Sequence, residues 1–274
     1  MSISNRDQRV LVRLREAKEA HADLGGLLGF YEELFQELFA FKIRLQGRHK
    51  GGNLARKEID LRSLADGNPQ LTFEGLEMDA ALFMPPFRSI LGLLSRQMDL
   101  PRPIAGEPQP EAILEIAREI FCSKGPVVLS DAPLDLTRTA AGFILVPYLQ
   151  WASEVIMPRI GQGLWHCAYC PVCGGTPSFA ALTGEFGSRT LLCSRCNGEW
   201  SYRRVGCPFC EGGDSQTFYP SEDGKYRLYL CESCHRYLKT IDLREAGVDV
   251  CLPVECLVTV AMDLAAQEKG YSSF

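Results

Sequence analysis

Apolar side chains recur every three to four residues over much of the chain before residue 160. In one segment the apolar positions are Leu28, Tyr31, Leu34, Phe35, Leu38, Phe39 and Ile43. This spacing places them along one face of an α-helix. The same periodicity predicts helices over residues 6–20, 87–97, 110–121 and 137–160. We therefore predict an antiparallel helical bundle, whose interleaved acidic and basic residues form solvated faces.

The pattern changes after residue 164, where helical periodicity ends and glycine, cysteine, arginine and aromatic residues become frequent. Short runs with the character of β-strands occur at residues 190–192, 200–202 and 226–230. Helical periodicity returns over residues 253–268 and predicts one closing amphipathic helix.

Composition bounds the class of protein. The chain has 274 residues, a formal net charge of −5, 46% hydrophobic residues and 23% charged residues. These values exclude a disordered chain, a collagen-like chain and a strongly basic protein that wraps nucleic acid. Cysteine departs from the average, with 12 residues, of which Cys122 alone lies before residue 160. The first 160 residues must therefore fold by burying apolar surface.

The chemistry expected of the cysteines depends on whether the protein lies in a reducing or an oxidising compartment. Residues 1–20 alternate arginine, glutamate and lysine without an apolar stretch, so we predict no secretory signal peptide. The apolar run over residues 139–158 contains Pro147 and Glu154, and we expect a buried helix there rather than a membrane span. We therefore predict a cytoplasmic protein. In a reducing compartment, regularly spaced cysteines indicate a metal or redox framework rather than disulfides.

Eight of the cysteines form four C-x-x-C pairs, Cys170/Cys173, Cys193/Cys196, Cys207/Cys210 and Cys231/Cys234. Nineteen residues separate the first pair from the second and twenty separate the third from the fourth, so the spacing is duplicated. Two residues between cysteines let the backbone form a turn, or knuckle, that aims both sulfurs at one point. Two knuckles complete a tetrahedron around one ion, with zinc–sulfur distances of about 2.3 Å. The sequence therefore predicts two tetrathiolate metal sites.

Matched loop lengths favour sequential pairing of the knuckles over an interleaved arrangement. The first site then uses Cys170, Cys173, Cys193 and Cys196, and the second uses Cys207, Cys210, Cys231 and Cys234. Cys167 makes a further C-x-x-C with Cys170, but Pro171 and Gly174 shape the following pair like a rubredoxin or zinc-ribbon knuckle. Cys167 is therefore predicted to be a spare thiol.

Several alternatives stay open from the residues alone. Disulfides or a thioredoxin-like redox pair compete with metal, and His166 or His235 is an alternative ligand beside the cysteines. Tetrahedral sulfur coordination suits Zn²⁺ or a single iron ion (Fe²⁺/Fe³⁺) equally well. The remaining Cys122, Cys251 and Cys256 are predicted to be buried apolar cysteines.

These features predict an α+β protein with an N-terminal all-helical bundle, two tandem rubredoxin-like or zinc-ribbon metal modules and a C-terminal helix. The predicted boundaries are residues 1–163 for the helical domain, 164–205 and 206–252 for the two metal modules, and 253–274 for the closing helix and tail.

The possible functional classes differ in how well they agree with the cysteine arrangement, the charge and the motifs of the sequence. A closed four-thiolate shell leaves no open coordination position, which argues against a hydrolytic centre. Residues 165–240 carry eight Lys+Arg and seven Asp+Glu, and eight thiolates with two divalent ions bring the formal charge to −3. This negative charge argues against the interpretation of the segment as a nucleic-acid-binding zinc ribbon.

The interpretation as a rubredoxin-like electron carrier does not account for the helical half of the chain or for the duplicated cysteine spacing. We find no phosphate loop, G-x-S-x-G elbow or H-E-x-x-H motif of an enzyme.

Three longer stretches carry a resemblance to a known family. They are CPVCGGTP from Cys170, LCSRCNGEW from Leu192 with CPFC from Cys207, and CESCHRYLK from Cys231. They resemble FdhE, the formate dehydrogenase accessory protein, and the ending GYSSF from Gly270 is also similar to that family.

The resemblance implies a cytoplasmic, non-enzymatic protein with a helical N-terminal part and two rubredoxin-like metal sites, reported to hold iron in the family. FdhE proteins are required for active formate dehydrogenase and contact its catalytic, molybdopterin-containing subunit. Carried over by position, the family's ligands are the eight cysteines of the four pairs. The predicted partner is therefore the formate dehydrogenase catalytic subunit, and the predicted role is in assembly or proofreading.

Overall fold

A computed structural model describes residues 3–48, 58–98, 108–126, 135–161, 163–212, 216–247 and 249–273. Phe274, the last residue of the ending quoted above, lies outside these ranges. The chain divides into two compact units. The first comprises Met1–Glu58 and Leu71–Val155, and the second comprises Ile59–Gln70 and Ile156–Phe274. The short segment 59–70 thus belongs to the second unit, although helical residues surround it in sequence.

Nine α-helices lie within the described residues: α1 (Asn5–Ala20), α2 (Gly25–Arg48), α3 (Leu61–Ala65), α4 (Ala80–Gln97), α5 (Pro110–Ser123), α6 (Leu136–Ile156), α7 (Leu243–Ala246), α8 (Leu252–Val258) and α9 (Val260–Glu268). The first unit is built from α1, α2, α4, α5 and α6, which confirms the predicted helical N-terminal part. Its core is apolar, with Leu28, Phe41, Phe83, Ile113 and Leu149 fully buried.

Helix α4 begins seven residues before the predicted start at residue 87. The side chain of Asp79 accepts a hydrogen bond from the backbone N–H of Ala81 and caps the helix. Pro85 and Pro86 then lie inside the helix. Proline usually marks a first turn or a break, so the sequence pattern placed the start too late.

Helix α6 together with the following 3₁₀ turn is apolar and long enough to cross a membrane by length and composition alone. It spans Leu136–Arg159 and is the one such helix within the described residues. Of its apolar stretch of 18 residues, 72% is buried inside the structure. That degree of burial is typical of a core helix, as predicted for this segment.

One charged cluster of the helical unit is buried rather than solvated. Lys42 of α2 is 1% exposed, and its Nζ donates to Asp7 Oδ1 at 2.7 Å and to Glu154 Oε1 at 2.5 Å. The expectation that charges in this region lie on solvated faces is therefore wrong for Asp7 and Lys42. Their mutual pairing makes the burial tolerable.

The second unit is organised around one six-stranded sheet. Its strands are β1 (Pro177–Thr183), β2 (Ser188–Cys193), β3 (Glu199–Tyr202), β4 (Gln216–Pro220), β5 (Tyr226–Cys231) and β6 (Arg236–Asp242). Their order in the sheet is β3-β2-β1-β6-β5-β4. Each of the two predicted metal modules contains an antiparallel group of three strands, and the groups meet where β1 pairs in parallel with β6. The three predicted strand runs correspond to β2, β3 and β5.

The closing helix predicted over residues 253–268 is two helices, α8 and α9. At Thr259 the backbone leaves the helical conformation, with φ −96° and ψ 23°. The Thr259 hydroxyl donates to the carbonyl of Glu255 at 2.7 Å, and Lys239 Nζ donates to the carbonyl of Cys256 at 2.7 Å. Lys239 thus binds the Cys256 carbonyl, which a continuous helix would offer to the N–H of residue 260, and the helix breaks there.

Candidate metal centres

The four C-x-x-C pairs adopt the same local geometry. In each pair the residue after the second cysteine has a positive φ, namely Gly174 (72°), Asn197 (54°), Glu211 (60°) and His235 (53°). In three of them its N–H donates at 2.9 Å to the carbonyl of the first cysteine, namely Gly174 to Cys170, Glu211 to Cys207 and His235 to Cys231. This tight turn brings the second cysteine back beside the first. The local chain therefore forms the predicted knuckles.

The knuckles bring the eight predicted ligands together in two groups. Within each group the sulfur atoms all lie within 4.8 Å of one another. Sγ–Sγ distances across the first group are 3.6 Å for Cys170–Cys196 and 3.5 Å for Cys173–Cys193. Across the second they are 3.7 Å for Cys207–Cys234 and 3.6 Å for Cys210–Cys231.

These distances fit a metal tetrahedron. Four sulfurs at about 2.3 Å from a central ion lie roughly 3.8 Å apart. A disulfide requires an S–S distance of about 2.05 Å, and all twelve cysteines are free. Each group could therefore hold one metal ion, with the first and second pairs forming one group and the third and fourth forming the other.

Backbone amides point at the sulfurs as a thiolate cluster requires. The N–H groups of Arg195 and Gly198 donate to Cys193 Sγ and Cys196 Sγ, each at 3.4 Å. The N–H of Phe209 donates to Cys207 Sγ at the same distance. Such donors stabilise the ionised form of the thiol. In these two knuckles, Cys193/Cys196 and Cys207/Cys210, the turn thus supplies both the ligand geometry and part of the electrostatic support.

The two groups differ in exposure. All four cysteines of the first group are buried, whereas Cys210 of the second is exposed and Cys234 is half-buried. Burial raises the pKa of the Cys170 and Cys193 thiols well above the ordinary value. Burial also opposes ionisation of Cys196, but hydrogen bonds from the neighbouring thiols and the Gly198 N–H lower its pKa. A bound cation would supply the positive charge that lets all four ionise.

A segment that the sequence did not associate with metal supports the first group. Tyr169 donates its hydroxyl proton to the carbonyl of Gly67 at 2.6 Å. The N–H of Gln70 donates to the carbonyl of Pro171, inside the first knuckle, at 2.9 Å. Helix α3 begins this segment, with Asp60 as its cap. No sequence signal links residues 59–70 to the cysteines, because the bonds run through backbone groups.

The other candidate residues lie outside both groups. Cys167 is half-buried, and its thiol lies within hydrogen-bonding reach of Tyr169, which raises the pKa of that phenol to about 12. His166 and His235 belong to neither group within the described residues. The remaining cysteines are Cys122, which is exposed, Cys251, which is buried, and Cys256, which is half-buried. The prediction that Cys122 is buried is therefore wrong, since it lies near the end of α5 on a solvated face.

Replacing Gly175 by alanine is expected to disturb the first group. A Cβ at this position would lie 2.7 Å from Arg195 Cδ and 2.9 Å from Cys193 Sγ, closer than van der Waals contact allows. Because Arg195 is 1% exposed, it has little room to move. We expect Gly175→Ala to lower metal bound at this group and to destabilise the chain by about 1–3 kcal/mol. Metal analysis together with urea unfolding measures both effects.

Gly224→Ala is the matched control for this prediction. Gly224 has a φ of +72°, and nothing lies within 4 Å of its Cβ position. Backbone strain alone should therefore act there, without loss of metal. Equal metal content in Gly175→Ala and the unchanged protein would contradict the predicted clash.

Known proteins resemble this chain. No protein-family model matches it. A protein FdhE homolog from Aquifex aeolicus is 36% identical over 140 residues, which cover 47% of this chain and 48% of that protein. A second, from Pseudomonas aeruginosa, is 30% identical over 164 residues, covering 53% and 51%. The chain thus spans about half the length of these curated relatives. The crystal structure of the FdhE protein from Pseudomonas aeruginosa matches with a TM-score of 0.59 and 22% identity, over 99% of this chain and 94% of the other.

The chain is thus similar in sequence and in fold to proteins of the FdhE family. The resemblance inferred from the cysteine motifs is thereby confirmed. The match to the FdhE crystal structure shows a shared fold, and it extends over the helical half as well as the sheet. The α+β architecture with two four-cysteine groups is confirmed with it. The electron carrier and the nucleic-acid-binding ribbon are not favoured by the comparisons.

Proposed function

We propose that this chain is a cytoplasmic, non-enzymatic accessory protein for the assembly or activity of formate dehydrogenase, and that it binds two metal ions. The observation that carries the proposal is the convergence of eight cysteines into two closed groups, on a fold shared with FdhE.

The metal ligands in this proposal are the eight cysteines named above, four to an ion. Iron would supply a one-electron couple, whereas zinc would supply a cross-link alone. Because all four positions around each ion are taken by sulfur, no site is left for a substrate or an activated water. The surrounding knuckles hold the ions in place, and the metal modules serve as a rigid recognition surface.

An exposed apolar pair beside the second group supports a protein partner. Phe186 is 80% exposed and Val205 is 72% exposed. The guanidinium of Arg204 donates to the carbonyl of Phe186, so the two segments are adjacent. Arg203 donates to the carbonyl of Glu211, next to Cys210, at 2.7 Å. Neighbouring exposed apolar side chains mark protein-binding surfaces. We assign the contact with the formate dehydrogenase catalytic subunit to this surface.

Anaerobic co-purification of the tagged chain tests the proposal. The formate dehydrogenase catalytic subunit should be retained by the unchanged protein and reduced at least about tenfold by Phe186→Asp, because a charge in an apolar contact costs more than 1.4 kcal/mol. Cys122→Ser changes an exposed cysteine of the helical unit and should retain the subunit fully. Absence of the subunit from the unchanged protein, together with a reversible iron redox couple, would favour the electron carrier instead.

A further inference from the structure

A segment far from the cysteines in sequence closes over the second group. The N–H of Ser272 donates to the carbonyl of His235 at 2.9 Å, and the N–H of Tyr237 donates to the carbonyl of Ser272 at 3.0 Å. Ser272 thereby forms an isolated parallel bridge with Arg236. Residues 270–273 therefore lie beside the start of β6, where Ser272 pairs with the backbone that follows the last knuckle.

Tyr271 adds side-chain contacts on the same knuckle. Its ring packs against that of His235 in a tilted arrangement, with centroids 5.6 Å apart and an angle of 35° between the ring planes. Its hydroxyl donates to Glu232 Oε1 at 2.7 Å, and Glu232 lies between Cys231 and Cys234. The N–H of Tyr271 donates to the carbonyl of Ala266 at 3.0 Å, which anchors the segment to α9. One aromatic side chain thus bridges a packed helix and the last knuckle.

The knuckle that receives these contacts needs support. His235 has a φ of +53°, a conformation that costs a residue with a side chain about 1 kcal/mol or more. The second group is also the more exposed of the two, at Cys210 and Cys234. Residues 59–70 support the first group in a comparable way, and all four cysteines of that group are buried. Because of this exposure, a metal ion bound at the second group would leave when one of its knuckles opens locally.

We infer that residues 270–273 form a clasp that controls the exchange of metal at the second group, with Tyr271 as its positioning residue. The inference rests on the proposed binding of two ions. Opening of the Cys231–Cys234 knuckle requires the His235 carbonyl and ring to separate from Ser272 and Tyr271. The clasp slows release of the second ion and leaves the first unaffected. Loading of the second group is then complete once the segment has docked.

Release of Zn²⁺ to an excess of a chromogenic chelator tests the clasp in the full chain loaded with two equivalents. We expect two phases, and Cys210→Ser should accelerate the faster one alone, which assigns that phase to the second group. Tyr271→Ala should accelerate the faster phase about tenfold, since it removes the ring contact and a charge-assisted hydrogen bond. Ser272→Pro, which lacks the N–H donor, should accelerate the same phase.

Tyr271→Phe is the matched control, because it keeps the ring and loses an exposed hydrogen bond. It should change the faster phase by less than about threefold. An unchanged faster phase in Tyr271→Ala, or equal acceleration of both phases, would overturn the clasp. Binding of fewer than two ions by the unchanged protein would instead overturn the two-site proposal, and the clasp with it.

Discussion

Replacing Cys193 by serine is expected to weaken metal binding at the first group and to lower the free energy of unfolding of the second unit by about 3–4 kcal/mol. Structural zinc contributes about 10–16 kcal/mol through four thiolates, so one ligand carries roughly a quarter. Cys193 is fully buried, and no water can replace its sulfur without opening the group. Metal analysis and urea unfolding, followed by the fluorescence of the buried Trp165 and Trp200, measure the two effects.

Cys210→Ser is the matched control at the second group. The chemical change is the same, but Cys210 is exposed, so water can complete the coordination sphere. We expect a smaller loss of about 1–2 kcal/mol, with metal binding weakened less than in Cys193→Ser. Equal losses for the two variants would contradict the structural difference between the groups.

Replacing Lys42 by alanine is expected to destabilise the helical unit by about 3–5 kcal/mol. The substitution leaves Asp7 and Glu154 without the ammonium that bridges them, and among the described residues Asp7 Oδ2 already has no hydrogen-bond partner. Removing one member of a buried ion cluster leaves uncompensated charge, which costs far more than a surface pair. Thermal unfolding followed by circular dichroism at the helical band measures the loss.

Lys18→Ala provides the comparison on the same helix pair. Lys18 Nζ lies 3.6 Å from Glu32, and both side chains reach solvent. Loss of such a pair should cost less than about 1 kcal/mol. If Lys42→Ala proved no more costly than Lys18→Ala, the buried cluster would not contribute to stability as the structure indicates.

The cysteine groups were predictable because each knuckle is local. Two intervening residues and a following Gly174 or Asn197 determine the turn, whatever surrounds it. Strand β6 was missed because it contains Lys239 and Asp242, both buried and both paired. In a sequence such residues resemble a solvated loop, since the partner that permits burial lies elsewhere.

The long-range supports could not be predicted from the sequence. Residues 59–70 bind the first knuckle through their own backbone N–H and carbonyl groups, which every residue carries, and residues 270–273 add the Tyr271 side chain to bonds of the same kind. Lys42 likewise has the spacing of a surface lysine, and its burial depends on Glu154, more than a hundred positions away. The break of the closing helix at Thr259 arises from Lys239 in another element. In each case the decisive contact joins segments that share no local pattern.

The order of strands in the sheet shows how the duplicated modules are related. Because β1 is parallel to β6 and β6 is antiparallel to β5, the first strands of the two modules, β1 and β4, run in the same direction. The modules are thus related by a shift along the sheet rather than by a two-fold axis. A sheet with such a head-to-tail arrangement does not close on itself. Its outer strands, β3 and β4, are the counterparts of β6 and β1, which pair with each other at the centre of the sheet. Pro220, which lacks an N–H, and the four-residue length of β3 limit further addition of strands at those edges.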